Sequence, residues 1–408
     1  MTPATASAIE GVVSVRLLVA DGAVRRAEVA VRRPAAAVAR ALAGRTPEEA
    51  VRLVPLLFSL CGTAQGLAAA MACEAALGLD ASAHAPARAL MLDAEAADSH
   101  GWQAAMAWPA LLGERPAPQG LRALRAAVTA LNEALYPGRD GLRPGGGALR
   151  PDPAGLADPV ARIAAWIEAE IFAGPCPADH DALAAWAALG ATAAARLTAR
   201  LLDPRLAGQG AVGVEALAER RPSWFAERLA ADPGFSARPH HDGAPAHTGS
   251  LARRADHPLV VSVAERHGFG LAALLAARLA DMAALPRHMA EATGRVRPAV
   301  PAVAFLVSAA PGVGCGVVET ARGRLAHWLR LGPDGRIADF RAVAPTEWNC
   351  AADGPLARGL AALPAGPDLA ERARLLVALR DPCVACTVTL EEAGGAGPIP
   401  IREKESPA

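Results

Sequence analysis

Asp381-Pro382-Cys383-Val384-Ala385-Cys386 sits near the C-terminus of this 408-residue chain and carries its sharpest chemical signal. Two thiols at this spacing can converge on one metal ion when they start a helical turn, although a lone C-x-x-C pair is only moderately specific. A second signal lies far earlier, where Leu60-Cys61-Gly62-Thr63-Ala64 opens an apolar run from Gln65 to Leu77 with helical spacing. A cysteine at a helix N-terminus has its thiolate favoured by the helix dipole, which suits a ligand or a reactive thiol.

The chain around these motifs is that of a globular protein. Hydrophobic residues make up 52% and charged residues 20%, enough to bury a large core. Its 41 basic and 41 acidic residues cancel, so no global field draws it to nucleic acid or to an anionic membrane. Met1 to Glu10 lacks a basic start followed by an apolar run, so a secretory signal is not expected and the cytoplasm is the expected compartment. Leu53–Leu79 and Leu183–Leu202 are interrupted by polar or charged residues and read as buried helices, not membrane spans. Seven cysteines, an odd number scattered through a long chain, argue for reduced thiols over a disulfide framework.

Val12–Val19, Asp21-Gly22 and Val24–Val31 form a hairpin signal within residues 1–34. Residues 35–135 read as helical, with two helices fitted between Ala35 and Leu79 and breaks at Gly44–Pro47 and Cys61-Gly62. Residues 136–159, with Gly145-Gly146-Gly147 and repeated prolines, read as an exposed loop. Helix candidates at Val160–Phe172, Asp181–Leu202 and Leu271–Ala292 give a helical middle over 160–300. Within it, Pro233–Gly249 is a loop holding His240, His241 and His247, expected to be solvated. In residues 301–389, Gly323–Leu331 and Arg336–Ala344 flank the turn Gly332-Pro333-Asp334-Gly335, and the helix Leu369–Leu379 runs into Asp381; residues 390–408 form a tail. The fold class expected is α+β, predominantly α-helical, in one large unit with β-hairpins near both ends.

The ordered set of motifs resembles the large subunit of nickel-iron hydrogenases, which carries R-x-C-G-x-C near its start and D-P-C-x-x-C-x-x-H at its end. Ile9-Glu10-Gly11 resembles the family's R-I-E-G start, and Arg88, Glu95 and His100 match the spacing after its first cysteine motif. Thr248-Gly249-Ser250-Leu251-Ala252-Arg253, Arg322-Gly323, His327-Trp328 and Pro345-Thr346-Glu347-Trp348-Asn349 resemble further landmarks. The likeness spans nearly the whole chain and is weakest from about residue 115 to 240.

The resemblance implies four cysteines around nickel, two of them bridging to an iron that carries cyanide and carbon monoxide. Cys61, Cys383 and Cys386 match three of the four, whereas Ala64 stands at the fourth and Ser59 replaces the motif's arginine. Thr389 stands where the last motif has histidine, and Pro34–Arg40 contains no carboxylate, so the magnesium site implied by the family is not expected. The missing histidine also implies that Leu390–Ala408 is not removed and that the C-terminal cysteines are not locked into a closed core. Arg322 matches the arginine beside the iron's cyanide ligands, where a fork of N–H donors would suit them; read from the residues alone it is a surface charge at a strand turn.

This pattern of loss resembles the HupK type of hydrogenase expression/formation proteins. It implies a non-catalytic scaffold that carries the iron of an Fe(CN)2CO unit on Cys61, Cys383 and Cys386, with Arg322 beside the cargo. The implied partners are hydrogenase accessory proteins and the hydrogenase large subunit. Two rivals stand beside it: a divergent catalytic subunit with nickel on three thiolates, and a metal-free structural protein of the same fold. A plain zinc site on the C-x-x-C pair remains a further reading. Cys73, Cys176, Cys315 and Cys350 match no motif position and read as core or surface thiols.

Overall fold

The protein is described by a computed structural model over residues 11–33, 35–58, 60–302, 312–392 and 399–401, leaving aside the side chains of Ala36, Pro153 and residues 399–401. Ile9, Glu10, Pro34 and Ser59, singled out from the sequence, lie outside the described residues. The chain opens with β1 (Val12–Ala20) and β2 (Ala23–Arg32), an antiparallel pair. Asp21 and Gly22 turn between them at φ 51° and 68°, the backbone that a two-residue hairpin loop needs. Val13, Val15 and Leu17 alternate inward and are fully buried.

Three helices follow where the sequence reading fitted two: α1 (Ala35–Leu42), α2 (Pro47–Leu57) and α3 (Gly62–Leu77). The break expected at Gly44–Pro47 is closed by a capping box, in which Thr46 and Glu49 satisfy each other's backbone N–H groups at the start of the helix. Next come α4 (Ala85–Trp102), a π turn at Gln103–Ala107, α5 (Trp108–Leu111) and α6 (Pro118–Leu135).

Helix α7 (Pro153–Trp166) ends in a second π turn, Ile167–Phe172, followed by α8 (His180–Leu189) and α9 (Ala193–Leu201). Then come β3 (Glu215–Ala216), α10 (Pro222–Ala231), β4 (Ala246–His247), α11 (Ser250–Arg254), α12 (Pro258–His267) and α13 (Leu271–Thr293). The C-terminal part holds β5 (Val313–Thr320), β6 (Gly323–Leu331), β7 (Ile337–Val343), α14 (Pro345–Asn349), α15 (Pro355–Ala361), α16 (Leu369–Arg380), β8 (Ala385–Glu392) and β9 (Ile399–Ile401). The class is α+β with a helical majority, as the sequence led one to expect, and the second hairpin is β6–β7.

Two sheets organise the site. In the first, the order is β2-β1-β8-β9, with β8 parallel to β1 and Cys386 opposite Val13. The C-x-x-C pair therefore does not start a helical turn. Asp381 ends α16 in the left-handed region at φ 50°, and the chain passes through a bend at Cys383 into β8. Nor are the C-terminal cysteines left outside the core. Strand β8 runs past Thr389 to Glu392 and pairs with β9, so residues beyond the expected boundary extend the sheet, and Cys383 and Cys386 are both buried.

In the second sheet, β5-β6-β7, strand β5 lies directly on α3. That approach is backbone to backbone. A Cβ on Gly314 or Gly316 would run into the carbonyl oxygens of Ala72 and Ala68, and the α3 face there is alanine. The loop expected to be exposed around Gly145-Gly146-Gly147 is instead buried: Gly145 N–H donates to Glu74 at 2.8 Å, and the His84 ring fills the space beside Gly146. Glu74 also holds Arg88 in a buried two-pronged ion pair at 2.5 and 2.8 Å. His247, expected to be solvated with its neighbours, is buried in β4, while His240 is exposed.

Gly316→Val should overpack the α3–β5 contact and cost about 3 kcal/mol of stability, read from the urea unfolding midpoint. A loss within about 0.5 kcal/mol, the range of a neutral surface change, would mean that the two elements do not depend on this close approach.

Candidate functional site

Cys61 is the residue immediately before α3, and its side chain does not cap the helix. Glu95 of α4 does that work from outside, accepting the Thr63 and Ala64 N–H groups at 2.6 and 3.0 Å. This satisfies two of the donors that every helix start leaves open, and it leaves the Cys61 sulfur free to point elsewhere. Burial pushes the Glu95 carboxyl up to about 7, against the pull of those two N–H groups. Gln65, one turn along, donates its side-chain N–H to Cys61 Sγ at 3.4 Å, and its carbonyl oxygen lies 2.7 Å from His327 Nε2. Burial pushes His327 down to about 3. A neutral ring protonated on Nε2 is therefore the donor, and it fixes which end of the Gln65 amide faces the sulfur.

Cys383 meets Cys61 from the other end of the chain, and the two thiols are hydrogen-bonded to each other. The Cys61 hydrogen bond holds Cys383 well below the ordinary thiol range despite burial, and the Arg33 and Arg322 guanidiniums reinforce it. Cys61 moves the opposite way, raised by the same hydrogen bond and by burial. The pair thus favours the proton on Cys61 and the negative charge on Cys383, the sulfur that receives the Arg33 N–H. Arg33, just past β2, donates to Cys383 Sγ at 2.7 Å and pairs with Glu347 at 2.7 Å. Thr346 Oγ1 accepts the Cys383 N–H and lies 3.2 Å from its sulfur, completing the cradle.

Arg322 stands beside this pair, buried instead of on the surface of its strand turn. It donates to Ser99 Oγ at 2.9 Å and pairs with Asp381 at 3.3 Å. Asp381 also accepts a hydrogen bond from Gln103, in the π turn, at 2.5 Å. The Gly323 that lets this turn form has φ 130° and packs against Thr248 and Gly249, where a side chain has no room.

Cys386 is placed differently from the other two. It faces inward from β8 and lies electrostatically beside Cys350, a fully buried thiol that matched no motif and is pushed well above its ordinary range by burial and then by Cys386. Ala64, at the fourth motif position, is fully buried. Among the described residues no group of three or more His, Cys, Asp or Glu side chains is arranged to hold a metal ion, and no helix is long and apolar enough to cross a membrane.

The sequence reading found Cys61, Cys383 and Arg322 but not Arg33, Gln65 or Glu95 as neighbours of the sulfurs. Glu347 and Thr346 were noticed only as parts of a landmark. Arg33 carries no local signal, since its role depends on β1 pairing with β8.

This helical core, with one cysteine motif at a helix start and the other running into a sheet, is the architecture of a nickel-dependent hydrogenase large subunit. The family model described as nickel-dependent hydrogenase matches residues 274–389. The fold of a nickel-iron-selenium hydrogenase from Desulfovibrio vulgaris Hildenborough superposes with a TM-score of 0.65, covering 89% of this chain and 94% of that one at 18% identity. Along the sequence, the hydrogenase expression/formation protein HupK of Azotobacter vinelandii is 31% identical over 94% of this chain and 99% of its own. The hydrogenase expression/formation protein HoxV of Cupriavidus necator is 31% identical over 87% and 91%. The chain belongs to this HupK/HoxV family of hydrogenase expression/formation proteins.

In the metal-free protein, one thiolate should persist well below the free-cysteine pKa of about 8.5, seen as ultraviolet thiolate absorbance. It should disappear in Cys383→Ser and titrate at higher pH in Arg33→Met. Absorbance unchanged in both variants would take the charge off Cys383.

Proposed function

We propose that the protein is a non-catalytic carrier in hydrogenase maturation, and that its cargo is the iron of an Fe(CN)2CO unit destined for a hydrogenase large subunit. The observation that carries this reading is the meeting of Cys61 and Cys383, with Arg33 donating to the Cys383 sulfur at 2.7 Å and the Arg322 charge acting on it. Two soft sulfur donors suit low-valent iron, and the one proton they share is what an arriving metal would displace. Cys61, as a residue, is only partly buried. Arg322 would stand beside the cargo as a rigid donor fork.

The residues present do not fit a resident nickel-iron centre. Ala64 offers a methyl group in place of a thiolate and is sealed in the core, and the described side chains assemble no set of three donors. A cargo held by two thiolates is held by fewer bonds than a finished centre requires, which suits release. Cys386, inward-facing on β8 beside Cys350, is the third cysteine the motifs offer and is not gathered with the other two into a three-donor group. The family's expression/formation role supports partners among hydrogenase accessory proteins and the large subunit itself, in the cytoplasm.

Anaerobically purified protein should show cyanide and carbon monoxide stretches in the infrared and contain iron, and both should vanish in Cys383→Ala. Zinc without such bands would replace this reading with a plain zinc site. Nickel in amounts matching iron would favour the catalytic alternative.

A further inference from the structure

Beside Asp381 lies a small cavity of about 30 Å³, walled by Thr248, Ser250, Arg278, Arg322, Arg380 and Asp381. Neither Cys61 nor Cys383 lines it, so it is a different place from the sulfur site. Its charge does not balance. Arg278 and Arg380 are buried, the Arg322 side chain is largely covered, and the one carboxylate on the wall is Asp381. Asp381 pairs with Arg322 at 3.3 Å and more distantly with Arg278 at 3.8 Å. Arg278 makes one hydrogen bond, to the Leu379 carbonyl at 3.0 Å, and its buried Nη1 has no partner. Arg380 has neither an ion pair nor a hydrogen bond among the described residues, and its buried Nε is orphaned.

The surrounding charges do not make up the difference. Asp281, the next carboxylate, is engaged by Arg253 at 2.5 Å and Arg254 at 3.1 Å. Glu319 is taken by Arg253 and Arg324 at 2.5 and 2.6 Å. His247, next to Arg380, is kept neutral, pushed down to about 4 by burial and then by the arginine. Burying a guanidinium without an acceptor costs several kcal/mol, and native proteins pair or hydrogen-bond such groups. A cluster of them around a polar cavity is the complement of an anion. Planar forks of N–H donors are matched to carboxylate-like and phosphate-like oxygens. The space is on the scale of one or two water molecules, which excludes a nucleotide or a sugar phosphate.

We propose that this cavity is a binding site for a small free oxoanion, of the size of formate, bicarbonate or phosphate, held chiefly by Arg380 and Arg278. Arg322 forms its inner wall and also faces the Cys383 thiolate, so occupancy adds negative charge on one side of an arginine whose other side serves the sulfur pair. The site stands whether or not the thiols carry iron.

The test is thermal unfolding of the metal-free full-length protein, with formate, bicarbonate and inorganic phosphate each titrated at constant ionic strength against chloride. At least one should raise the Tm saturably by several degrees. Arg380→Met should lose that rise while being at least as stable as the parent in chloride, because it removes an unpaired buried charge. If that variant does not fold, Arg278→Met reads the same loss from the opposite wall. No shift with any of the three anions, or an undiminished shift in the arginine variants, overturns the site.

Discussion

The parallel pairing of β1 with β8 is the constraint on which the sulfur site rests. It sets Cys386 opposite Val13, puts the bend at Cys383 beside the end of β2, and lets Arg33 reach a sulfur 350 residues away in sequence. The length-dependent entropy of closing so long a loop grows only logarithmically, to about 5 kcal/mol. A handful of buried side chains such as Val13, Val15 and Val388 is enough to offset it. Because β8 continues past Thr389 and is flanked by β9, the uncut chain closes this sheet itself.

The second anchor is the approach of β5 to α3, backbone against backbone, which fixes the helix that begins at Cys61. Glu95 and Gln65 then separate two tasks that a helix-start cysteine would otherwise combine. The carboxylate caps the helix, and the amide, aligned by His327, faces the sulfur. With Cys383 arriving from the sheet, one proton serves two sulfurs. The thiolate settles on the side of Arg33 and Arg322, where burial alone would have opposed it.

Elements built from local rules were legible in the sequence. The first hairpin followed from its β-branched alternation and Asp21-Gly22, the second from Gly332 to Gly335, and the long helix α13 from its apolar spacing. Strand β8 was missed although Thr387-Val388-Thr389-Leu390 alternates with β-branched residues, because the C-x-x-C pair before it was read as a helical turn. Strand β5 was missed because Gly314 and Gly316 dilute its signal, and those glycines are what let it touch α3. The loop at Gly145–Gly147 was misjudged because glycine marks both flexible exposure and tight burial. Only the long-range bond from Gly145 to Glu74 decides between them. The sulfur site was legible as two motifs; its polar cradle was not, since Arg33, Glu347 and Glu95 reach it from separate elements.

Charge explains why one part of the molecule can lose a ligand while another gains a need for one. Ala64 stands where the hydrogenase motif has a thiol and offers no negative charge, yet the arginine side chains around the sulfurs remain largely covered. Arg33 is answered by Glu347 and by the Cys383 thiolate. Arg322 must divide Asp381 with Arg278, and Arg380 has no carboxylate partner among the described residues. The sulfur pair and the arginine cavity share Arg322 as a common wall, so the occupant of either is felt by the other through a single side chain.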